Sequence, residues 1–247
     1  MTAPLPPGWR GNHLAELRWQ AEAWRLLADP VFRGHGVPRG DGRPVVLLPG
    51  FLAGDYSLAV MASWLRRIGH PPARCGMIAN VDCSARALGR VESLVDRLSD
   101  ASGRRVAVLG QSRGGHLARA IAARRPDAVS HAVSMGAALR SPLDISRLTQ
   151  SAVSLVSGVH RRMAPERTAC LTESCVCAFT EAFAAPFPED VLFTSIYSRG
   201  DGVVWWGSCI APYGRNVEVT GSHVGLAFNR KAYRAIAEAL ATEELGS

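Results

Sequence analysis

Apolar positions along this chain fall into two kinds of block. A short, continuous apolar run occupies 44–51, and strand-length stretches rich in apolar residues occupy 104–109, 128–135 and 191–197. Their length and β-branched content predict strands buried on both faces, as in a parallel sheet. Weaker runs predict two more strands at 73–79 and 216–219. Between the runs the apolar spacing changes to the 3.6-residue period of helices, at 56–68, 85–101, 115–125 and 230–242. Asp55 stands where it would N-cap the first of these helices, and Gly69-His70-Pro71-Pro72 would stop it. Upstream, 12–28 places Leu14, Leu17, Ala21, Trp24, Leu27 and Ala28 on one helical face, predicting an amphipathic helix packed on the body. Residues 34–43, with four glycines and a proline, read as a loop. Strands alternating with helices predict an α/β architecture: a doubly wound, mostly parallel sheet of about six strands.

The longest stretch between strands is 141–190, where helical pieces are expected at 145–162 and 166–184. An insertion there would sit over the carboxyl ends of the strands, where open α/β sheets bind ligands. It is expected to be a helical cap, the alternative being extra helices that cover the core. The chain of 247 residues suits a single domain, 1–247, with 1–43 as an N-terminal helix and loop.

Apolar residues make up 47% and charged residues 20%, ordinary values for a globular protein. No apolar run approaches a membrane span, and the first residues lack the apolar core of a secretion signal, so a cytoplasmic location is expected. The net charge of +7 is carried almost wholly by arginine, Lys231 being the one lysine. The arginines are scattered, some as pairs such as Arg66-Arg67 and Arg104-Arg105, mostly at helix ends and strand starts, with no aromatic-interleaved basic stripe; nucleic acid is not an expected partner. The six cysteines fit no zinc spacing, so no metal is expected. Reduced thiols are the default, with room for one local disulfide among Cys170, Cys175, Cys177 and Cys209.

The chemistry gathers at Gly110-Gln111-Ser112-Arg113-Gly114, a G-x-S-x-G turn between a predicted strand and a predicted helix. A sharp strand–turn–helix lifts the serine Oγ clear of the sheet, and glycines flank it because a side chain there would strike neighbouring backbone. G-x-S-x-G alone is weak; three further motifs at predicted strand ends add to it. These are Leu48-Pro49-Gly50-Phe51, Ser198-Arg199-Gly200-Asp201-Gly202 and Gly221-Ser222-His223-Val224-Gly225. Together the four motifs resemble those of small bacterial α/β-hydrolases of the esterase/lipase kind, from about residue 44 onward and in the order Ser…Asp…His.

The resemblance implies the α/β-hydrolase fold and an acyl-enzyme mechanism on a small ester or lipid-like substrate, with no cofactor. Ser112 would be the nucleophile, and His223, in a Gly-rich loop just past a strand, its base. Asp201 would orient His223. Asp144 is the rival acid, although it reads better as the N-cap of the cap helix. His116, on the helix after Ser112, reads as locally packed. His13, His35, His70, His131 and His160 lack a matching acid. The family pattern implies an oxyanion hole from the backbone N–H groups of Phe51 and Arg113. Pro49-Gly50 stands where many relatives have His-Gly, a departure of little weight because the donor is a backbone amide. Trp205 and Trp206 read as packing at least as well as they read as pocket walls.

Overall fold

In the computed structural model, which describes residues 6, 8–163 and 177–243, the strong apolar runs become β1 (Val45–Leu48), β3 (Val106–Gln111), β4 (Val129–Met135) and β5 (Leu192–Ser198). Every residue of β1, β3 and β4 is buried. Successive side chains of a strand point to opposite faces. Val45 and Leu47 therefore join one core, and Val46 and Leu48 the other. The first core is closed by α2 (Ala59–Ile68) and α7 (Arg230–Ala241), where the Trp64 and Tyr233 rings meet at 4.5 Å. The second is closed by α3 (Ser84–Ser102), α4 (Arg113–Arg124) and α6 (Ala178–Ala184). Each fully buried Val or Leu contributes about 1.5–3 kcal/mol relative to exposure, so these shared strands carry much of the stability.

With β2 (Pro72–Arg74) and β6 (Arg215–Val219), the sheet has six strands, all parallel, in the order β2-β1-β3-β4-β5-β6. The chain leaves β1 for β2 on one side and returns to β3 on the other, which opens a crevice at the strands' carboxyl ends. Leu48 pairs with Gly110, Gly110 with Ser134, and Ser134 with Ser195. The strand ends are therefore level, and the loops leaving β1, β3, β4, β5 and β6 share one edge.

Four local expectations are corrected. The strand expected at 73–79 ends at Arg74, because Gly76 turns at φ +75° and the Asp55 carboxylate accepts from its N–H at 2.9 Å. Asp55 is accordingly not a helix cap. It opens a short 3-10 turn, Asp55–Leu58, capped by Gly54, and α2 begins only at Ala59. The N-terminal helix divides into a 3-10 turn (His13–Arg18) and α1 (Trp19–Ala28). Its predicted packing face is outermost, with Leu14 80%, Leu17 64% and Trp24 73% exposed. Leu26 is buried instead, and Glu16 and Glu22 turn toward the body to receive backbone N–H groups. Periodicity names the residues that share a face; it does not say which face meets the body.

The fourth correction concerns Asp144, which does not cap α5 (Arg147–Met163). Ser146 Oγ accepts from Thr149 N at 3.3 Å there, while the Asp144 carboxylate accepts from Arg140 and Ser208. The expected helix at 166–184 is described only from Cys177, as α6; Cys170 and Cys175 lie outside the described residues. α6 packs on α4, and Arg119 of α4 donates to the carbonyls of Ala182 and Ala185. Among the described residues no helix is long and apolar enough to cross a membrane.

Candidate active site

Ser112 sits between β3 and α4 at φ +53° and ψ −121°, a left-handed conformation that a side chain adopts only under constraint. The constraint is close packing on either side. A Cβ on Gly110 would stand 2.0 Å from the Gly114 carbonyl oxygen, and one on Gly114 would stand 2.0 Å from that of Leu48. Ser112 N donates to Met135 O at 2.8 Å, tying the turn to the end of β4. Because α4 starts at Arg113, its first N–H groups lack intrahelical acceptors and face this end of the sheet.

Asp201 and His223 are brought together on the same edge. The carboxylate Oδ2 lies 2.6 Å from His223 Nδ1, and both side chains are buried. Oδ1 accepts from the N–H groups of Val203 at 2.8 Å and Val204 at 2.7 Å, so the carboxylate is held from behind. Ser198 Oγ joins the two loops, donating to Gly221 O at 2.6 Å and accepting from Gly200 N at 3.0 Å. Gln111, adjacent to Ser112, donates from Nε2 to His223 O at 3.1 Å and couples the His223 loop to the serine turn. Burial pushes the imidazole pKa down, but the Asp201 carboxylate and then Glu16 outweigh it, and the net shift is upward. His223 Nε2 has no partner among the described residues, Ser112 Oγ included.

The Phe51 loop lies directly against Ser112: a Cβ on Gly50 would stand 3.3 Å from Ser112 Cβ. Asn80 supports it, donating from Nδ2 to Pro49 O at 2.8 Å and from its own N–H to Ala53 O at 2.8 Å. The Arg113 guanidinium fixes Asn80 in turn, donating to Asn80 O at 2.8 Å and Ser84 Oγ at 3.0 Å, and also bonding Asp82 O. The buried supports Asn80 and Gln111, and the Arg113 side chain, were missed by sequence reasoning. No periodicity or motif marks them beyond the variable positions of G-x-S-x-G.

A cavity of about 370 Å³ opens on Ser112. Its mostly apolar wall includes Phe51, Arg113, His116, Leu143 and, from α5, Val153. His116 is wholly buried edge-on to Phe183 at 5.4 Å, and burial first, then Arg113, lower its pKa to about 4. It is a neutral wall residue with no carboxylate partner among the described residues. His70 has Asp41 at 3.9 Å, but it precedes β2, at the opposite end of the sheet. His13 contacts Ser146, and His131 contacts Arg43 and Thr242 O. The side chain of His160 lies outside the described residues. Asp144 has no histidine partner among the described residues. Trp205 and Trp206 pack tilted against each other at 5.2 Å, Trp205 edge-on to Trp9 and Trp206 stacked on Tyr197, away from the cavity wall. Cys209 is a buried free thiol, and among the described residues no cluster of metal-ligating side chains occurs.

No protein-family model matches the sequence, and no curated protein matches it. Solved structures do. The chain is similar to a monoacylglycerol lipase of Paleococcus ferrophilus, with a TM-score of 0.56 at 13% identity over 83% of this chain and 96% of that one. It is similar to a lipase of Bacillus licheniformis, with a TM-score of 0.60 at 14% identity over 83% and 94%. The thioesterase domain of the curacin biosynthetic pathway gives a TM-score of 0.50 at 15% identity over 83% and 93%. At such identities the likeness is one of fold.

Proposed function

We propose that this chain, whose fold is that of the α/β-hydrolases, is a serine hydrolase of carboxylic esters. One observation carries the reading: a serine held in a strained turn shares an edge with a buried His223–Asp201 pair joined at 2.6 Å. In this reading Ser112 Oγ attacks the acyl carbon while His223 Nε2 takes the hydroxyl proton. The N–H groups of Phe51 and Arg113 receive the oxyanion. Collapse of the tetrahedral intermediate expels the alcohol, which leaves with the proton from His223. Water, deprotonated by the same nitrogen, then cleaves the acyl-enzyme to the free acid and restores Ser112. Asp201 keeps Nδ1 protonated and stabilises the imidazolium.

The apolar cavity, within the usual size of ligand pockets, suits the acyl chain of an ester or lipid-like small molecule. Leu143, Ile145, Val153 and Phe179, from the expected cap, supply part of its wall, as a cap within one catalytic domain would. No step calls on a metal, an organic cofactor or a nucleic acid.

A fluorophosphonate probe should label the protein at Ser112, and p-nitrophenyl esters from acetate to palmitate should be hydrolysed with a chain-length preference. Ser112→Ala should remain folded, lose labelling and lose several orders of magnitude in kcat, because triad members act as a unit. Retention of more than about a tenth of parent activity would remove Ser112 as nucleophile. Transfer products exceeding free acid when alcohols or amines are supplied would recast the enzyme as an acyltransferase.

A further inference from the structure

Asp201 and His223 stand on two loops, 22 positions apart in the chain, and both loops lie outside regular strands. A catalytic pair must be held to within about 0.5 Å, so something has to fix the backbone of those loops. The N-terminal segment does so from outside the sheet. Glu16 Oε1 accepts from Gly202 N and from His223 N, both at 3.0 Å, and Oε2 accepts from Val224 N at 2.8 Å. One carboxylate thus gathers the residue after Asp201, His223 itself and the residue after His223. Glu22, about two turns on, accepts from Ser222 N at 3.0 Å and from Ser222 Oγ at 2.9 Å. Asn12 N completes the seam by donating to Gly202 O at 3.0 Å. The fit is close: a Cβ on Gly11 would stand 2.1 Å from Gly202 O, and one on Gly225 would overlap the Glu22 carboxylate. Glu16 and Glu22 face the loops while Leu14, Leu17 and Trp24 of the same segment face solvent, so polar docking acts beside the burial of Leu26 in orienting it.

We propose that Glu16 is a positioning residue for hydrolysis, a clamp that holds the Asp201 and His223 loops in register and places a second negative charge near the imidazole. The inference rests on the Ser112–His223–Asp201 reading. Two consequences separate it from a merely structural role. Misplacing the base slows the chemical step without changing substrate binding. Removing the charge makes the imidazolium easier to deprotonate; the charged groups facing His223 are Asp201 and Glu16. The choice of a carboxylate is specific. Three N–H donors need three acceptor sites, which a carboxylate has, whereas glutamine offers one acceptor oxygen and turns an NH₂ toward the third donor.

The test uses the full chain with Glu16→Gln, Glu16→Ala and, as a control on the same segment, Arg18→Ala; Arg18 donates to Ala15 O of its own turn. With p-nitrophenyl butyrate as substrate, E16Q should keep KM within about twofold and lose about tenfold or more in kcat, in line with the cost of small displacements at a reacting centre. The acid limb of its kcat/KM profile should move to lower pH. E16A should move in the same direction and further, and R18A should match the parent. E16Q with parental kcat, or with an unmoved acid limb, overturns the proposal. Labelling by the fluorophosphonate distinguishes the two levels of failure. A parent protein not labelled at Ser112 overturns the serine-hydrolase reading and the clamp with it. A labelled parent with E16Q labelled equally fast overturns the clamp alone.

Discussion

The two oxygens of Asp201 have different partners, and that asymmetry decides what an amide would do in its place. Oδ1 receives two backbone N–H groups and Oδ2 faces His223 Nδ1. In Asp201→Asn the amide oxygen must stay with the two N–H donors, so the NH₂ turns to the imidazole. It then donates to Nδ1 and puts the ring proton on Nε2, where it blocks acceptance from Ser112. The expected loss is up to about 10⁴ in kcat, the size of this effect in the best-studied triad. Among the described residues, the Asp144 carboxylate bonds Arg140 and Ser208, and Asp144→Asn alters those contacts. It should leave kcat within about threefold and cost about 1 kcal/mol of stability, the scale of a partly exposed ion pair. Steady-state rates of the two variants on one activated ester, with their thermal melting, check both statements. The reverse pattern would move the acid to the end of β4. Ser112 and His223 were legible as candidates because glycine spacing marks tight turns. Asn80 and Gln111 were not, since a buried amide that braces a loop leaves no pattern in the sequence.

At the level of elements, the turn between β3 and α4 depends on the absence of two side chains. Gly114 is the sharper case, because its neighbour is the carbonyl of Leu48 in a central strand and cannot rotate aside. Gly114→Ala should force β1 and α4 apart and destabilise the protein by more than about 2 kcal/mol, as overpacking against backbone does. Chemical denaturation of G114A beside Gly89→Ala tests this, since a Cβ on Gly89 of α3 meets nothing within 4 Å and should be neutral or mildly stabilising. Equal stability of the two variants would show that the turn is looser than the packing indicates. The central strands were legible because burial on both faces leaves short, largely apolar runs, and the helices because their burial follows a period of 3.6. The end of β2 was not, because Asp55, lying upstream beyond α2, stabilises the Gly76 turn.

For the whole molecule, the N-terminal region is tied to the sheet by carboxylates as well as by apolar packing. Asp29 meets Arg230 and Arg234 of α7, and Asp41 meets Arg43 and Arg104 ahead of β3. Partial burial pushes the Asp41 carboxyl upward, but the Arg43 N–H and the guanidinium groups of Arg104 and Arg43 outweigh it and bring the pKa down to about 2. A carboxyl held below its unfolded value of about 3.9 contributes stability that is complete above that pH and is lost as pH falls toward the folded value. The melting-temperature gap between the parent and Asp41→Asn should therefore be largest above about pH 4 and close by about pH 2. A gap constant across pH 6 to 2 would show that the Asp41 charge does not contribute.

The sequence by itself determined the α/β class, the sheet of about six strands and the turn that carries Ser112. Each of these rests on a pattern among near neighbours in the chain: an apolar run along a strand, spacing along a helix, or glycines beside a serine. Only the tertiary structure decided which acid meets His223, which face of the 12–28 segment turns inward, and what Asp55 and Asp144 hold. Those outcomes depend on hydrogen bonds between groups from 20 to more than 200 positions apart. Such partners are selected by which buried N–H or hydroxyl would otherwise go unpaired, and that need exists only once the chain has folded.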